Sequence, residues 1–433
     1  MKKTLWYLKA SSIMEVVHLS TSDIQGGAAG SAYRLHNGLL QAGVHSRMYV
    51  RCKHSNDCTV REHEVRNGLI NRIRRRLYRE RLRFDFRQYK DTRPNGLEPF
   101  SDDRTPYWLY NISSLNPDII NLHWIANFVD YRHFFGECIG DTPVVWRLSD
   151  LNPFTGGCHY DQGCGKYKQR CGACPQLGSK TEDDLSRAIW KRKKKAFASI
   201  DTTQLHFVAQ SEWIKDQVQA SPLTERFPAT VIPNGLNPDL FQPRDTEGLR
   251  SALEIPREHR IVLFVAQSAQ NYRKGFDLLS DALASLDADS VTLLSIGGNE
   301  PDLGTALPHT HLGTIESDLL LSVFYSLADL FVIPSRQDNL PNTVLESMAC
   351  GTPVVGFDTG GIPDMVRPGE TGWLAEVGNV QALRNAVEEA LVRNGERKRR
   401  GQRCREVVED EYTLARQARR YQNLYRGLLQ ENQ

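Results

Sequence analysis

Two carboxylates, two adjacent cations and a pair of glycines have the types and spacing to hold a charged, hydroxyl-rich ligand. Asp338 and Glu346 stand eight residues apart in PSRQDNLPNTVLESMACG, residues 334–351. An ionised carboxylate only accepts hydrogen bonds, and it can take them from two neighbouring hydroxyls. A strand ending at Ser335 places this polar loop at the carboxyl end of a sheet, where open α/β folds bind ligands. A helix is expected from about Asn342 and Thr343 to a cap at Gly351. Lys274, beside Arg273 in RKGF, can neutralise phosphate oxygens as a point charge; a solvated loop cation is the plain alternative. Gly26 and Gly27, in GGAAG, let backbone N–H groups approach an anion at a helix start carrying about half a positive charge. The run is not G-x-G-x-x-G, so a dinucleotide fingerprint is not met, and a tight structural turn also accounts for it.

Cysteines form a second constellation. Cys158, Cys164, Cys171 and Cys174 lie in FTGGCHYDQGCGKYKQRCGACPQLG, residues 154–178, with His159 beside the first. Four thiolates can close a tetrahedral structural zinc site, and the C-x2-C pair Cys171 and Cys174 has suitable spacing. Disulfides and packed reduced thiols are the alternatives. No Cys–His–acid arrangement is evident, so no catalytic role is expected of them. The chain has nine cysteines, an odd number. With no apparent secretion signal and large domains, this argues against a disulfide framework and favours a cytoplasmic setting.

These side chains need elements to position them. Short apolar, β-branched runs alternate with helix-length segments, the pattern of βαβ units on parallel sheets. In the first half the runs fall at residues 16–20, 47–50, 119–123, 144–148 and 206–209. A second series falls at 261–266, 291–298, 330–335 and 353–357. At 433 residues the chain is too long for one ordinary core. The Pro-, Gly- and Asn-rich stretch VIPNGLNPDLFQP, residues 231–243, separates the two series. The division read from this is a first Rossmann-like domain over 14–235 with the Cys-rich insertion at 154–178. A linker follows at 236–259, then a second Rossmann-like domain at 260–405 and one long helix at 406–433.

The segment PSRQDNLPNTVLESMACGTPVVGFDTGGIPDMV, with VIPNGLNPDLF, RKGFDLL and GGAAGSAYRL before it in that order, resembles the E-x7-E region of family 4 glycosyltransferases. The resemblance covers about residues 14–429. It implies a GT-B architecture: α/β, two Rossmann-like domains facing across a cleft, and a C-terminal helix crossing back to the first domain. It also implies retaining transfer from a nucleoside-diphosphate sugar, with no catalytic metal. Glu346 would then bind ribose hydroxyls, Asp338 the donor sugar, and Lys274 the diphosphate. Gly26 and Gly27 would approach the phosphates, and Asn339, Leu340, Asn342 and Thr343 would aim backbone donors at sugar and phosphates. Three positions depart from the family. Asp338 replaces a Glu, one methylene longer. The family's phosphate-binding Arg falls near Ala269, with Arg273 the candidate to compensate. Ser149 stands where a His is usual, which leaves His123, in NLHWIANF, as the catalytic-side candidate for contact with the acceptor; a satisfied strand-end histidine is the bland alternative. The Cys-rich insertion is similar to those of colanic-acid-type polysaccharide glycosyltransferases, so a glycan or lipid-linked acceptor is expected. Rival readings are a sugar-nucleotide epimerase or hydrolase on the same fold, and a non-catalytic sugar-nucleotide-binding subunit.

The formal net charge is only +2, so bulk nucleic-acid binding is not implied. No apolar run is long enough for a transmembrane helix. Residues 1–13 lack the apolar core of a signal peptide, and Met14 is an alternative start to Met1. Two stretches are locally basic. Residues 69–84 place Ile70, Ile73, Leu77 and Phe84 near one helical face with arginines on the other, and residues 190–197 carry a Lys and Arg run with Trp190 and Phe197. Such helices suit an anionic membrane surface, peripheral at its cytoplasmic face; solvated helix faces are the alternative.

Overall fold

The computed structural model describes residues 14–63, 68–97, 100–106, 112 and 115–431. Residues 1–13, on which the signal and start-site expectations rest, lie outside them. The first sheet contains β1 (Glu15–Ser22), β2 (His45–Cys52), β3 (Val60–Glu62), β4 (Ile119–Leu122), β5 (Val144–Arg147), β6 (Leu205–Ala209) and β7 (Ala229–Val231). Its order is β3-β2-β1-β4-β5-β6-β7. The second sheet contains β8 (Arg260–Val265), β9 (Val291–Ile296), β10 (His309–His311), β11 (Leu330–Ile333), β12 (Val354–Phe357) and β13 (Gly372–Ala375), in the order β10-β9-β8-β11-β12-β13.

Every pairing in both sheets is parallel. Parallel sheets are covered on both faces, which explains why the strands read as continuous apolar runs. All residues of β4, β5 and β6 are buried, as are all of β9, β11 and β12. In each sheet the strand order reverses once, between β1 and β4 and between β8 and β11. A crevice opens at the carboxyl ends of strands on either side of such a reversal. The loops after β1, β8 and β11 carry Gly26 and Gly27, Lys274, and Asp338, so the topology alone brings the sequence candidates toward two crevices.

The structure differs from the sequence reading at three places. Residues 236–259 are not a free linker: Leu236, Phe241 and Ile255 are buried in the core of the second domain, and Glu247–Ala252 is helical. The C-terminal helix is two helices, Asn394–Glu411 and Leu414–Glu431. The first buries Cys404, Val407 and Val408 in the second domain; the other crosses back and covers the first sheet with Ala418, Tyr421, Tyr425 and Leu428. The helix breaks at Tyr412, where the outgoing interdomain segment is adjacent: Leu236 donates to the Tyr412 carbonyl at 2.9 Å and Leu414 donates to the Leu236 carbonyl at 3.0 Å. Thirdly, residues 190–197 lie in the helix Leu185–Ala198, where Trp190, Lys193 and Phe197 are buried. The aromatic residues of that run face the core, because its apolar periodicity is that of a covered helix, and they are not available to a membrane.

Candidate active site in the interdomain cleft

On the second domain, the turn after β8 ends in a single helical turn, Tyr272–Lys274, closed by Gly275 at φ 66°. A Cβ on Gly275 would lie 2.0 Å from the Pro334 carbonyl oxygen, so only glycine lets this turn press against the end of β11. Lys274 is thereby brought to the loop after β11. Its Nζ donates to Asp338 Oδ2 at 2.7 Å, and Arg273 Nη1 reaches the same oxygen at 2.9 Å. Gly360 holds the loop from the far side; a Cβ there would sit 1.7 Å from the Asp338 carbonyl oxygen. Burial alone would raise the Asp338 carboxyl, but the Lys274 and Arg273 charges outweigh it and hold the group well below the usual carboxylate range.

Two helix N-termini converge on the same space. One belongs to α1 (Gly27–Gln41), capped by Gly26 at φ 90°; the other to the helix Asn342–Ala349, capped by Pro341. Neither has an acidic residue in its first turn, so the positive end of each helix is uncompensated from within. Asn342 ties them together: its Nδ2 donates to the Gly27 carbonyl at 3.0 Å, and its Oδ1 accepts from Asn234 Nδ2 at 2.9 Å. The resulting cleft has a volume of about 630 Å³ and is lined from both domains. Of the sequence candidates, Gly26, Gly27, Arg273, Lys274, Asp338, Asn339, Leu340, Asn342 and Thr343 all line it.

Glu346 and His123 do not line this cleft. Glu346 is buried behind it: Arg34, from α1, donates through Nη1 and Nη2 to Glu346 Oε1 at 3.0 Å each and through Nη2 to Asp318 Oδ2 at 3.1 Å. Tyr325 donates to Glu346 Oε2 at 3.2 Å. Arg34 therefore occupies the carboxylate from the opposite domain. His123 corrects the sequence reading. Its N–H still donates to the Leu19 carbonyl in strand register, and it borders a small cavity beside the cleft with Trp124, Ser149 and Asp150 rather than the cleft itself. The ring is buried, with Nε2 at 2.8 Å from His18 Nδ1 and 3.2 Å from Asn121 Nδ2. Burial holds both imidazoles well below their ordinary pKa. Trp124, the next residue, faces the cleft instead.

A different histidine stands at the cleft. His159, from the Cys-rich insertion, donates through Nδ1 to Asp150 Oδ2 at 2.6 Å, and its Nε2 meets Ser101 Oγ at 2.8 Å. Trp124 Nε1 donates to the same Asp150 oxygen at 2.8 Å. Beside it, Tyr160 donates to Asp338 Oδ1 at 3.4 Å, and the Arg273 guanidinium lies 4.2 Å from the Tyr160 ring centroid. Gln337 Nε2 donates to Asp161 Oδ1 at 2.8 Å and its Oε1 accepts from Gln162 N at 3.1 Å. The insertion thus reaches across to the donor-side loop. Sequence reasoning placed His159 only as a neighbour of Cys158. The usable signal was the start of the insertion at Phe154, a few residues beyond the end of β5, which predicts an overhang on the cleft but not which side chain turns into it.

Two facing Rossmann-like sheets, reversal-point loops on both sides of one cleft and a C-terminal helix crossing back define a GT-B protein. Within it, residues 259–393 match the family described as Glycosyl transferases group 1, in agreement with the family 4 resemblance of the E-x7-E-like segment. The chain is 26% identical over 216 residues to the N-acetyl-alpha-D-glucosaminyl L-malate synthase of Bacillus anthracis, covering 47% of this chain and 54% of that protein. It is 31% identical over 175 residues to the D-inositol 3-phosphate glycosyltransferase of Mycobacterium bovis, covering 37% of this chain and 35% of that one. These matches span about half and about a third of the relatives' lengths. Among solved structures, the sucrose-phosphate synthase of Thermosynechococcus elongatus superposes with a TM-score of 0.68 at 22% identity, covering 96% of this chain and 100% of that one. Anabaena HepE in complex with UDP-glucose gives 0.64 at 16% identity, with the same coverage. At such identities the structural matches speak for the fold.

Proposed function

We propose that this protein is a retaining glycosyltransferase that moves a sugar from a nucleoside-diphosphate sugar to a glycan or lipid-linked acceptor in polysaccharide biosynthesis. One observation carries the reading: Arg273, Lys274 and two uncompensated helix N-termini converge on one cleft that also holds Asp338. Cations and backbone N–H groups suit a diphosphate, and a buried carboxylate beside them suits sugar hydroxyls. The group 1 match over the donor-side domain and the UDP-glucose bound by Anabaena HepE support this assignment.

In the proposed reaction the bond from the anomeric carbon to the diphosphate oxygen breaks, and the acceptor oxygen forms its bond on the same face. The leaving diphosphate takes the acceptor hydroxyl proton. Lys274 and Arg273 stabilise the charge that develops on the leaving oxygens, so catalysis is positioning plus electrostatics, without a catalytic metal. Asp338 and the backbone of Asn339, Leu340, Asn342 and Thr343 hold the donor sugar and phosphates. Glu346 takes the ribose hydroxyls once Arg34 yields it. His159, fixed by Asp150, takes the acceptor-side place first given to His123. The protein works at the cytoplasmic face of the membrane. There α2 (Leu69–Arg87), none of whose residues is buried, offers an arginine-rich apolar face to anionic lipid.

The test is release of nucleoside diphosphate from a panel of UDP-, GDP- and dTDP-sugars with a membrane-lipid extract as acceptor, alongside Glu346→Ala. Release with one donor class that is lost in the variant supports the assignment. Nucleotide binding without release from any donor and acceptor supplied points instead to a non-catalytic subunit.

A further inference from the structure

Within residues 154–178, four cysteines form a side-chain cluster that the proposed transfer does not use. Cys158, Cys164, Cys171 and Cys174 all line one small cavity of about 20 Å³, room for roughly one water-sized particle. All four are free thiols. A backbone donor already addresses one of the sulfurs: Gly156 N–H donates to Cys171 Sγ at 3.1 Å. The turn between Cys171 and Cys174 is fixed by Gly172 at φ 144° and Ala173 at φ 42°, the latter a backbone conformation uncommon for alanine. Lys166 Nζ clamps that turn through the Gly172 and Ala173 carbonyls at 3.0 and 2.9 Å. Lys193, completely buried, donates to the Asn152 carbonyl, with Asp103 first and then Cys158 and Cys171 in its electrostatic surroundings. Among the described residues, no three histidine, cysteine or acidic side chains are gathered closely enough to hold an ion as they stand; the thiols ring the space in an open arrangement.

We propose that this cavity is a structural zinc site in which Cys158, Cys164, Cys171 and Cys174 turn onto one Zn2+. Four thiols give up four protons and form four Zn–S bonds, leaving a site of net charge −2. The Gly156 N–H then bonds to a thiolate rather than a thiol, and Lys166 and Lys193 offset the charge. All-sulfur tetrahedral coordination selects zinc over magnesium or calcium. The consequence reaches the cleft, because Cys158 immediately precedes His159 and Tyr160. The ion sets the insertion that holds His159 against Asp150 and Tyr160 against Asp338.

The experiment is elemental analysis of the reduced, full-length protein purified without chelator, with Cys171→Ser, Cys174→Ser and, as a control, Cys404→Ser. The expected result is about one zinc per chain, retained in the control and lost in the two cluster variants. Should those variants fail to fold, the wild-type chain is stripped and titrated with Co2+ alone. Thiolate-to-cobalt charge-transfer absorption that saturates at about one equivalent and is displaced by Zn2+ supports the site. Absence of both co-purified zinc and that absorption overturns it. So does non-reducing mass spectrometry that finds these four cysteines in disulfides.

Discussion

At the level of single residues, the chemistry of the cleft depends on which charge meets which. Lys274 and Arg273 share one oxygen of Asp338, and a bound diphosphate would bring a second anion to the same pair. If Lys274 carries the leaving group, Lys274→Ala lowers kcat by about 10²- to 10³-fold while leaving the fold intact. Steady-state kinetics check this, and unchanged turnover refutes the role. Asp338, Lys274 and the Asn339–Thr343 loop were legible in the sequence because they sit in one short segment or just after a strand. His159 and Arg34 were not. Arg34 meets Glu346 across 312 residues of chain, and no local pattern encodes such a pairing. His123 was misplaced for the opposite reason: a strand-end position was legible, but whether the strand still ran in register there was not.

At the scale of elements, α1 does two things. Its N-terminus faces the cleft, and Arg34, two turns on, clasps Glu346 and Asp318 of the other domain. Breaking this pair leaves Glu346 buried without a cation, a loss on the order of 3 kcal/mol. Arg34→Met is therefore expected to lower Tm and, in small-angle scattering, to enlarge the ligand-free protein. A nucleoside diphosphate should restore Tm more in the variant than in the wild type, since ribose hydroxyls replace the missing donor. Helix α2 poses a different problem. Leu69, Ile70, Leu77 and Phe84 are 66–80% exposed amid eight arginines. An anionic surface would cover these apolar side chains and pair the arginines. Wild-type protein should sediment with phosphatidylserine vesicles at low salt, and charge reversal at Arg74, Arg75 and Arg76 should abolish it. Failure of the wild type to sediment contradicts the membrane reading. Nine strands were legible from apolar runs; the edge strands β3, β7, β10 and β13 were not, because three or four residues are too short to show a pattern. The break at Tyr412 was not, because a bridge to Leu236, distant in sequence, imposes it.

At the scale of the whole molecule, the two sheets share one winding order, and the chain crosses between domains at adjacent points, Leu236 and Leu414. Buried histidines make the first domain sensitive to acid. Burial pushes His36 down to about 4, although Asp57 opposes the shift, and pushes His206 to about 4 as well. The unfolded chain binds these protons near the ordinary value of about 6.5 and the folded chain does not. Stability is thus full above about 6.5 and is lost as pH falls toward about 4. Between pH 7.5 and 5 each group contributes a loss of about 2 kcal/mol. Thermal scans should show Tm falling across that range, with a shallower fall in His36→Gln, whose partners Ser46 and Thr59 can still hydrogen-bond an amide.

The central claim is that the cleft binds a nucleoside diphosphate through Lys274 and its neighbours. Calorimetric titration of the wild-type chain and Lys274→Ala with UDP, GDP and dTDP tests it most directly. The expected result is a single site for at least one of these nucleotides, weakened by salt and at least about tenfold weaker in the variant, an effect of ~1.4 kcal/mol or more. Binding of none of them, or binding that is equal in the two proteins, would contradict it.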